Sequence, residues 1–408
     1  MSKYDYAKLR PIEVKSLVDD FGRPVLLLRD LMKLNPETPY LLTPGYWGAV
    51  LIACDGEHTV LEMCREFQKY TGLFLPDDNM EKFLERLDLA CFLDNARAQA
   101  AQQQALERYR RAPNRPPANA GLSYPASADV LRRELQGYMD QIPDTEELKQ
   151  GQGLISPHID YGRGGLVYAQ VWKRAAKLAR EADCAIILGT DHKSAIPAQI
   201  TLTRQNYATP FGVLPTDLRV VDAIAGALGE EAVFQSELHH KDEWSVELAA
   251  VWLHFIRDGE PCSMVPILCG SFHHFVNNGH SPAEDTTLAD MVTAIKEATA
   301  GQKVLVVAAG DLAHIGPAFG GPPVDLAGRV RLQEDDNKLL APVFAGDADG
   351  FFDVIRSEAD SRNICGISCI YLAMQIMGAV QGELVSYDRC LADEQETSFV
   401  SVCGVTFS

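Results

Sequence analysis

The chain has 408 residues, long for a single hydrophobic core, so two domains are expected. Its composition, 47% hydrophobic and 23% charged, is that of a globular protein, and a net charge of −19 argues against nucleic acid or a membrane surface as a partner. No apolar run approaches the ~20 residues of a membrane span. The start MSKYDYAKLRPIEVK lacks the apolar centre of a signal peptide, and the ten cysteines form neither a framework nor a CxxC pair, which predicts a cytoplasmic protein with reduced thiols.

Residues 1–110 read as a small, mostly helical domain. RPVLLLRD reads as a strand. TPGYWGAVLIACDGEHTVLEMCREFQKYTG supplies a helix, a turn at Asp55-Gly56, and a second helix capped by Thr59. LPDDNMEKFLERLDLACFLD supplies a third, with Phe83, Leu84 and Leu87 on its apolar face. This order, the DG-x-x-T-V turn and the FLERLDLACFLD end resemble the PqqD-like, winged-helix type of domain. The resemblance implies recognition of a peptide or of a radical SAM protein. Acidic residues outnumber basic ones here, so no footprint for reading DNA is present. A domain that only packs on its neighbour fits the pattern equally well. Ala/Gln-rich helical sequence then leads into a Pro- and Asn-bearing linker over 111–120.

From residue 121 to 408 the pattern is α/β. Asp129–Met139 is an amphipathic helix, followed by a strand at Gly153–Ser156, a helix over Gly165–Arg180 and a strand at Cys184–Gly189. A β excursion follows over Gln199–Gly212. Glu243–Phe255 reads as helix, Ser263–Cys269 as strand, Thr286–Thr299 as helix and Val304–Ala309 as a buried strand. Helical segments over Asn337–Ile355 are interrupted at Gly346 and Gly350. Gly366–Met377 is a helix and Ser398–Thr406 the last strand. Strands alternating with helices predict a parallel sheet covered on both faces, with ligands at the carboxyl ends of its strands.

Three histidines fall at such ends. His158 follows a strand and Pro157, and precedes Gly162, Gly164 and Gly165; His192 follows Gly189; His314 closes GDLAHIG with Asp311 three residues earlier. Asp311 and His314 share a face if that segment turns helically, as metal ligands or as an acid–base pair. Asp191 is a candidate to orient an imidazole. Glu243 and Glu247 are spaced i,i+4, either a solvated helix face or carboxylates serving a site. Cys365 precedes a helix, whose N-terminus favours a thiolate. The doublets His239–His240 and His273–His274 read as surface or loop residues, with His240 at a possible rim.

SPHIDYG, ILGTDHKS, DEWSVELAAVWL, AAGDLAHIG and RNICGISC, in that order, resemble the Memo family, whose bacterial members are labelled AmmeMemoRadiSam system protein B. The likeness begins near Ala120, in AGLSYPASADVLRRELQGYM, and runs to the last strand. It implies an α/β fold similar to the LigB-type class III extradiol dioxygenases, which hold non-haem Fe(II) with two His and a carboxylate. Memo proteins place two His and a Cys at that pocket and bind iron or copper. Carried onto this chain, the metal ligands are His158, His192 and Cys365. Asp311, His314, Glu243 and Glu247 become further, catalytic pocket residues. Where the family often has His between Glu and Ser, this chain has Trp244. The implied function is a dioxygenase-like redox enzyme using Fe2+, with copper or zinc as other metals its donor set suits. The other implied reading is a metal-binding accessory protein working with a radical SAM protein and an AMME-region protein.

Overall fold

A computed structural model describes residues 2–144 and 146–408. The chain divides into two compact units, Met1–Arg111 and Ala112–Ser408.

In the first unit, β1 (Glu13–Val18), β2 (Pro24–Arg29) and β3 (Tyr40–Pro44) form an antiparallel sheet in that order. Only the middle strand is expected from the sequence. The β1–β2 turn closes because the Asp19 carboxylate accepts N–H bonds from Phe21 and Arg23, and Gly22 takes a φ of +75°. The helix Val60–Thr71 starts with a capping box between Thr59 and Glu62 and stops at left-handed Gly72. With Gly48–Ala53 and Asp77–Leu89 it buries Val50, Met63, Phe67, Met80, Leu84 and Leu87. Helix Ala96–Arg111 ends the unit.

The second unit is built on one eight-stranded mixed sheet. Its strands are β4 (Gly153–Ser156), β5 (Cys184–Thr190), β6 (Ile200–Leu202), β9 (Ser263–Cys269), β10 (Val304–Ala309), β11 (His314–Ile315), β12 (Gly382–Leu391) and β13 (Phe399–Phe407). β7 (Tyr207–Thr209) and β8 (Gly212–Leu214) form a separate hairpin. The order is β11-β13-β4-β10-β5-β9-β6, with β12 also on β13. The four central strands are parallel, as expected; β6 and β13 add antiparallel edges.

Alternate residues of the central strands face opposite layers. Ile186, Leu188, Val265, Ile267, Val306 and Ala308 join one core cluster. Ala185, Ile187, Met264, Leu268, Leu305 and Val307 join the other. Both faces are therefore covered by helices, which is why these strands are continuous apolar runs. Two local expectations change. The helix before the break at Gly346 (φ +70°) is long, Leu326–Phe344, and Gly350 lies inside the next helix, Ala348–Ser357. The segment at Asp311–His314 is not helical; it leaves β10 and enters the short strand β11. All ten cysteines carry free thiols. Among the described residues, no helix is long and apolar enough to cross a membrane.

Candidate metal centre

The sheet register brings the site together. β10 lies between β4 and β5, with Ala309 opposite both Ser156 and Gly189. His158 and Asp311 each lie two residues beyond those ends, and His192 three residues beyond. β11 pairs His314 with Val400 of β13, bringing it back to the same edge. Cys365 arrives just before the helix Ile367–Met377. Gly366 N–H donates to Asp311 O at 3.0 Å, and the Thr190 hydroxyl donates to Cys365 O at 3.0 Å. This approach needs glycine: a Cβ on Gly366 would lie 2.6 Å from Asp311 O, and one on Gly310 2.8 Å from the Gly366 Cα.

His158 is buried. Its backbone N–H donates to Asp311 Oδ1 at 2.8 Å, and its Nδ1–H donates to Ala309 O at 3.0 Å. A carbonyl can only accept, so Nδ1 carries the proton and Nε2 keeps its lone pair. That Nε2 lies 3.2 Å from Cys365 Sγ and 3.7 Å from Asp311 Oδ2. Burial lowers the His158 pKa and outweighs the attraction of Asp311.

His192 is held by a charge instead. Its Nδ1–H donates to Glu243 Oε1 at 2.9 Å. Burial pulls its pKa down, but the Glu243 carboxylate outweighs burial and the net shift is upward. Burial likewise opposes ionisation of Glu243, yet His192 and the N–H groups of Trp244 and Ser245 hold it down at about 2. Glu243 lies just before the helix Ser245–Ile256 and not within it. The i,i+4 stacking expected for Glu243 and Glu247 therefore does not form. Trp244 stacks on the His192 ring, with centroids 4.0 Å apart and planes 18° off parallel.

Donor atoms of His158, His192 and Cys365 all lie within 4.8 Å of one another, and so do those of Asp311, His314 and Cys365. Cys365 belongs to both groups. Ligands about 2.0–2.3 Å from a shared tetrahedral metal lie about 3.3–3.8 Å apart, inside that limit. The nitrogen of each imidazole turned away from the group is held by a carbonyl or carboxylate, the arrangement that orients metal-bound histidines. The donor set fits a transition metal on these grounds. The Cys365 thiol departs from its sequence expectation: burial pushes it well above the ordinary range, and nearby Asp311 adds to this. A bound cation is what reverses that preference. His314 donates from Nδ1 to Leu312 O at 3.2 Å, and burial lowers its pKa.

These groups form one wall of a cavity of about 1020 Å³. Trp244, Phe319, Ile159 and Ile364 are among its apolar lining residues. Arg163, whose guanidinium is tied to Asp160, is the arginine that reaches it. Asn119, Leu122 and Ser123 also line it, although the sequence places the first of these in a linker.

Glu247 goes elsewhere. It is fully buried, does not line the cavity, and pairs with the buried Arg115. Asp191 orients an imidazole, but that of His239, which donates to it at 2.8 Å. His240 is no rim residue. It is fully buried, accepts from the Tyr207 hydroxyl at 2.6 Å and donates to Thr201 O at 3.0 Å. His273, read as a surface residue, reaches the cavity. Arg115 escaped the sequence reading, because an arginine between Asn114 and Pro116 looks like linker; only the acid 132 residues later gives it meaning.

A family model described as Memo-like protein matches residues 115–406. A MEMO1 family protein of Aquifex aeolicus is 25% identical over 384 residues, covering 90% of this chain and 92% of its own. Coverage of that extent reaches into the first unit. A MEMO1 family protein of Methanosarcina acetivorans is 24% identical over 276 residues, 67% of this chain and 91% of its own. One from Thermotoga sp. strain RQ2 is 30% identical over 210 residues, covering 49% of this chain and 70% of its own.

Proposed function

Since this chain belongs to the Memo family, we propose that His158, His192 and Cys365 hold a redox-active transition metal, iron(II) first and copper second, at which a small substrate is oxidised. The observation that carries this is the convergence of two nitrogens and a sulfur within 4.8 Å at the wall of a cavity large enough for an organic molecule. A metal held there by these three residues would supply electron transfer and an open position for dioxygen or substrate.

The chain's own residues do the rest. Ala309 O and Glu243 fix the two rings so that each Nε2 faces the group. Trp244 blocks rotation of His192 by stacking on it. His314, neutral through burial and with its proton on Nδ1, keeps Nε2 as a base for a substrate proton. Asp311 holds the His158 backbone and adds negative charge beside the group.

Anaerobically purified protein is expected to carry near-stoichiometric iron or copper by elemental analysis. His158→Ala and Cys365→Ala should each lose it; full retention in both variants would sink the ligand set. Oxygen uptake with catechol-like substrates then tests for turnover.

One observation favours a second reading, a metal-binding accessory role in a radical SAM pathway. The first unit carries a groove of about 400 Å³ lined by Tyr46, Trp47, Phe67, Phe74 and Phe83, with Lys82 and Arg86 beside them. A PqqD-like module would use such a groove for a peptide. Metal-loaded protein that consumes no oxygen across the panel, yet forms a tight complex with a radical SAM protein, would favour this reading.

A further inference from the structure

The segment 115–124 has two faces. Asn119, Leu122 and Ser123 line the cavity. Arg115, 0% exposed, grips the turn that orients His192. Its Nε donates to His240 O at 2.6 Å, its Nη2 to Glu243 O at 2.7 Å, and its Nη1 pairs with the Glu247 carboxylate. Glu247 in turn accepts from Ala118 N–H at 3.1 Å, Asn119 N–H at 2.9 Å, the Asn119 amide at 3.1 Å and the Tyr124 hydroxyl at 2.5 Å. Glu243 is thus held twice: its carbonyl by Arg115, its carboxylate by the imidazole of His192.

We propose that the Arg115–Glu247 pair is the positioning device of the metal centre: through the Glu243 main chain it sets the direction of His192, and through residues 118–124 it sets the adjoining cavity wall. The inference rests on the metal reading above. A buried ion pair is poor evidence for stability by itself, because desolvation offsets its attraction. What singles this one out is the geometry of its contacts. One guanidinium holds three main-chain carbonyls, those of Pro116, His240 and Glu243, and a carboxylate; only the planar fork of arginine reaches them all. One carboxylate then collects four donors from three residues of a single strap. The strap begins four residues after the helix Ala96–Arg111, so the first unit is covalently tethered to the device.

The test uses the full-length protein, stripped with chelator under reducing, anaerobic conditions and titrated with Co2+. The thiolate-to-cobalt absorption band reports the Cys365 bond and the geometry around it. Arg115→Gln alone leaves Glu247 buried and unpaired and risks unfolding, so the double variant Arg115→Gln/Glu247→Gln, which removes both charges, is the main probe. It is expected to fold, to bind Co2+ about tenfold more weakly, and to show a displaced band. Arg115→Lys keeps the charge without the fork and should show the same loss. Met291→Ala, a core change away from the cavity, controls for stability and should keep wild-type affinity and band. A folded double variant with wild-type affinity and spectrum overturns the proposal, as does an equal loss in Met291→Ala. Absence of the band in the wild type overturns the metal reading itself, a separate result from a normal wild type beside an unaffected double variant.

Discussion

His158 and His192 meet edge to face, 5.1 Å between ring centroids, and each is left with Nε2 for the same small space. Their other nitrogens meet opposite partners. His158 leans on Ala309 O, a neutral acceptor at the end of a sheet strand. His192 leans on the Glu243 carboxylate, carried by a turn that buried polar contacts hold in place. Burial wins at His158 and lowers its pKa; the ion pair wins at His192 and raises it. The pair teaches that one ligand type can be prepared in two ways. The carbonyl partner fixes a tautomer and keeps the ring neutral. The carboxylate fixes the tautomer and strengthens the ring as a donor.

Removing the sulfur that serves both halves should have the largest effect. Cys365 belongs to both donor groups, so Cys365→Ala is expected to abolish metal retention, whereas His314→Ala, which touches one group, should leave bound metal measurable by elemental analysis. Equal retention in the two variants would show that the sulfur is not shared.

Glu243→Gln attacks only the His192 half and should be next in size. It keeps the shape and removes the charge. Metal affinity should fall by about 10–100-fold. In the metal-free protein the titration of His192, followed by NMR of its ring, should move down from above the ordinary histidine value, because the main opponent of burial is gone and only Asp191 and Asp311 still act upward. The His158 titration should move less, because the Glu243 and His192 charges act on it with opposite signs. A parallel shift at His158 would mean that the two halves are coupled and the contrast between them fails.

The four central strands and the ends that carry His158, His192 and Asp311 were legible in the sequence, because a strand buried on both faces must be an unbroken apolar run. β12 was not. It lies at the edge, half exposed, and GELVSYDRCL shows neither alternation nor a run. Cys365 was legible as a candidate to join the strand-end histidines, and the fold brings it beside them, but its protonation was not legible: a helix N-terminus favours a thiolate, and burial overrides that preference by an amount no local pattern shows. Glu243 and Glu247 look equivalent at i,i+4, yet one precedes the helix and faces His192 while the other is enclosed by Arg115. What separates them is a partner far away in the chain, and spacing carries no information about that. His240 failed for the same reason, its partners Tyr207 and Thr201 being 33 and 39 residues distant.

The smallest expected effect concerns that same His240, and it extends the contrast between neutral and charge-paired histidines to stability. Burial holds its pKa down at about 3 against an ordinary value of 6.5. Above pH 6.5 both folded and unfolded chains leave it neutral. As pH falls from 6.5 toward 3, the unfolded chain takes a proton that the fold refuses, so stability drops through that window. His158 and His314, also lowered by burial, act with the same sign. His192 acts with the opposite sign: its raised pKa adds stability that is fully present below 6.5 and lost as pH rises through the folded value. Glu243, held at about 2 against 4.5, adds to acid loss only below pH 4.5. His240→Gln keeps a donor toward Thr201 O and an acceptor for the Tyr207 hydroxyl, and it cannot titrate. Urea unfolding of metal-free protein between pH 6.5 and 4.5 should therefore show a slope shallower by about one proton in the variant. Identical slopes would mean that His240 takes up its proton inside the fold, and that burial does not keep it neutral.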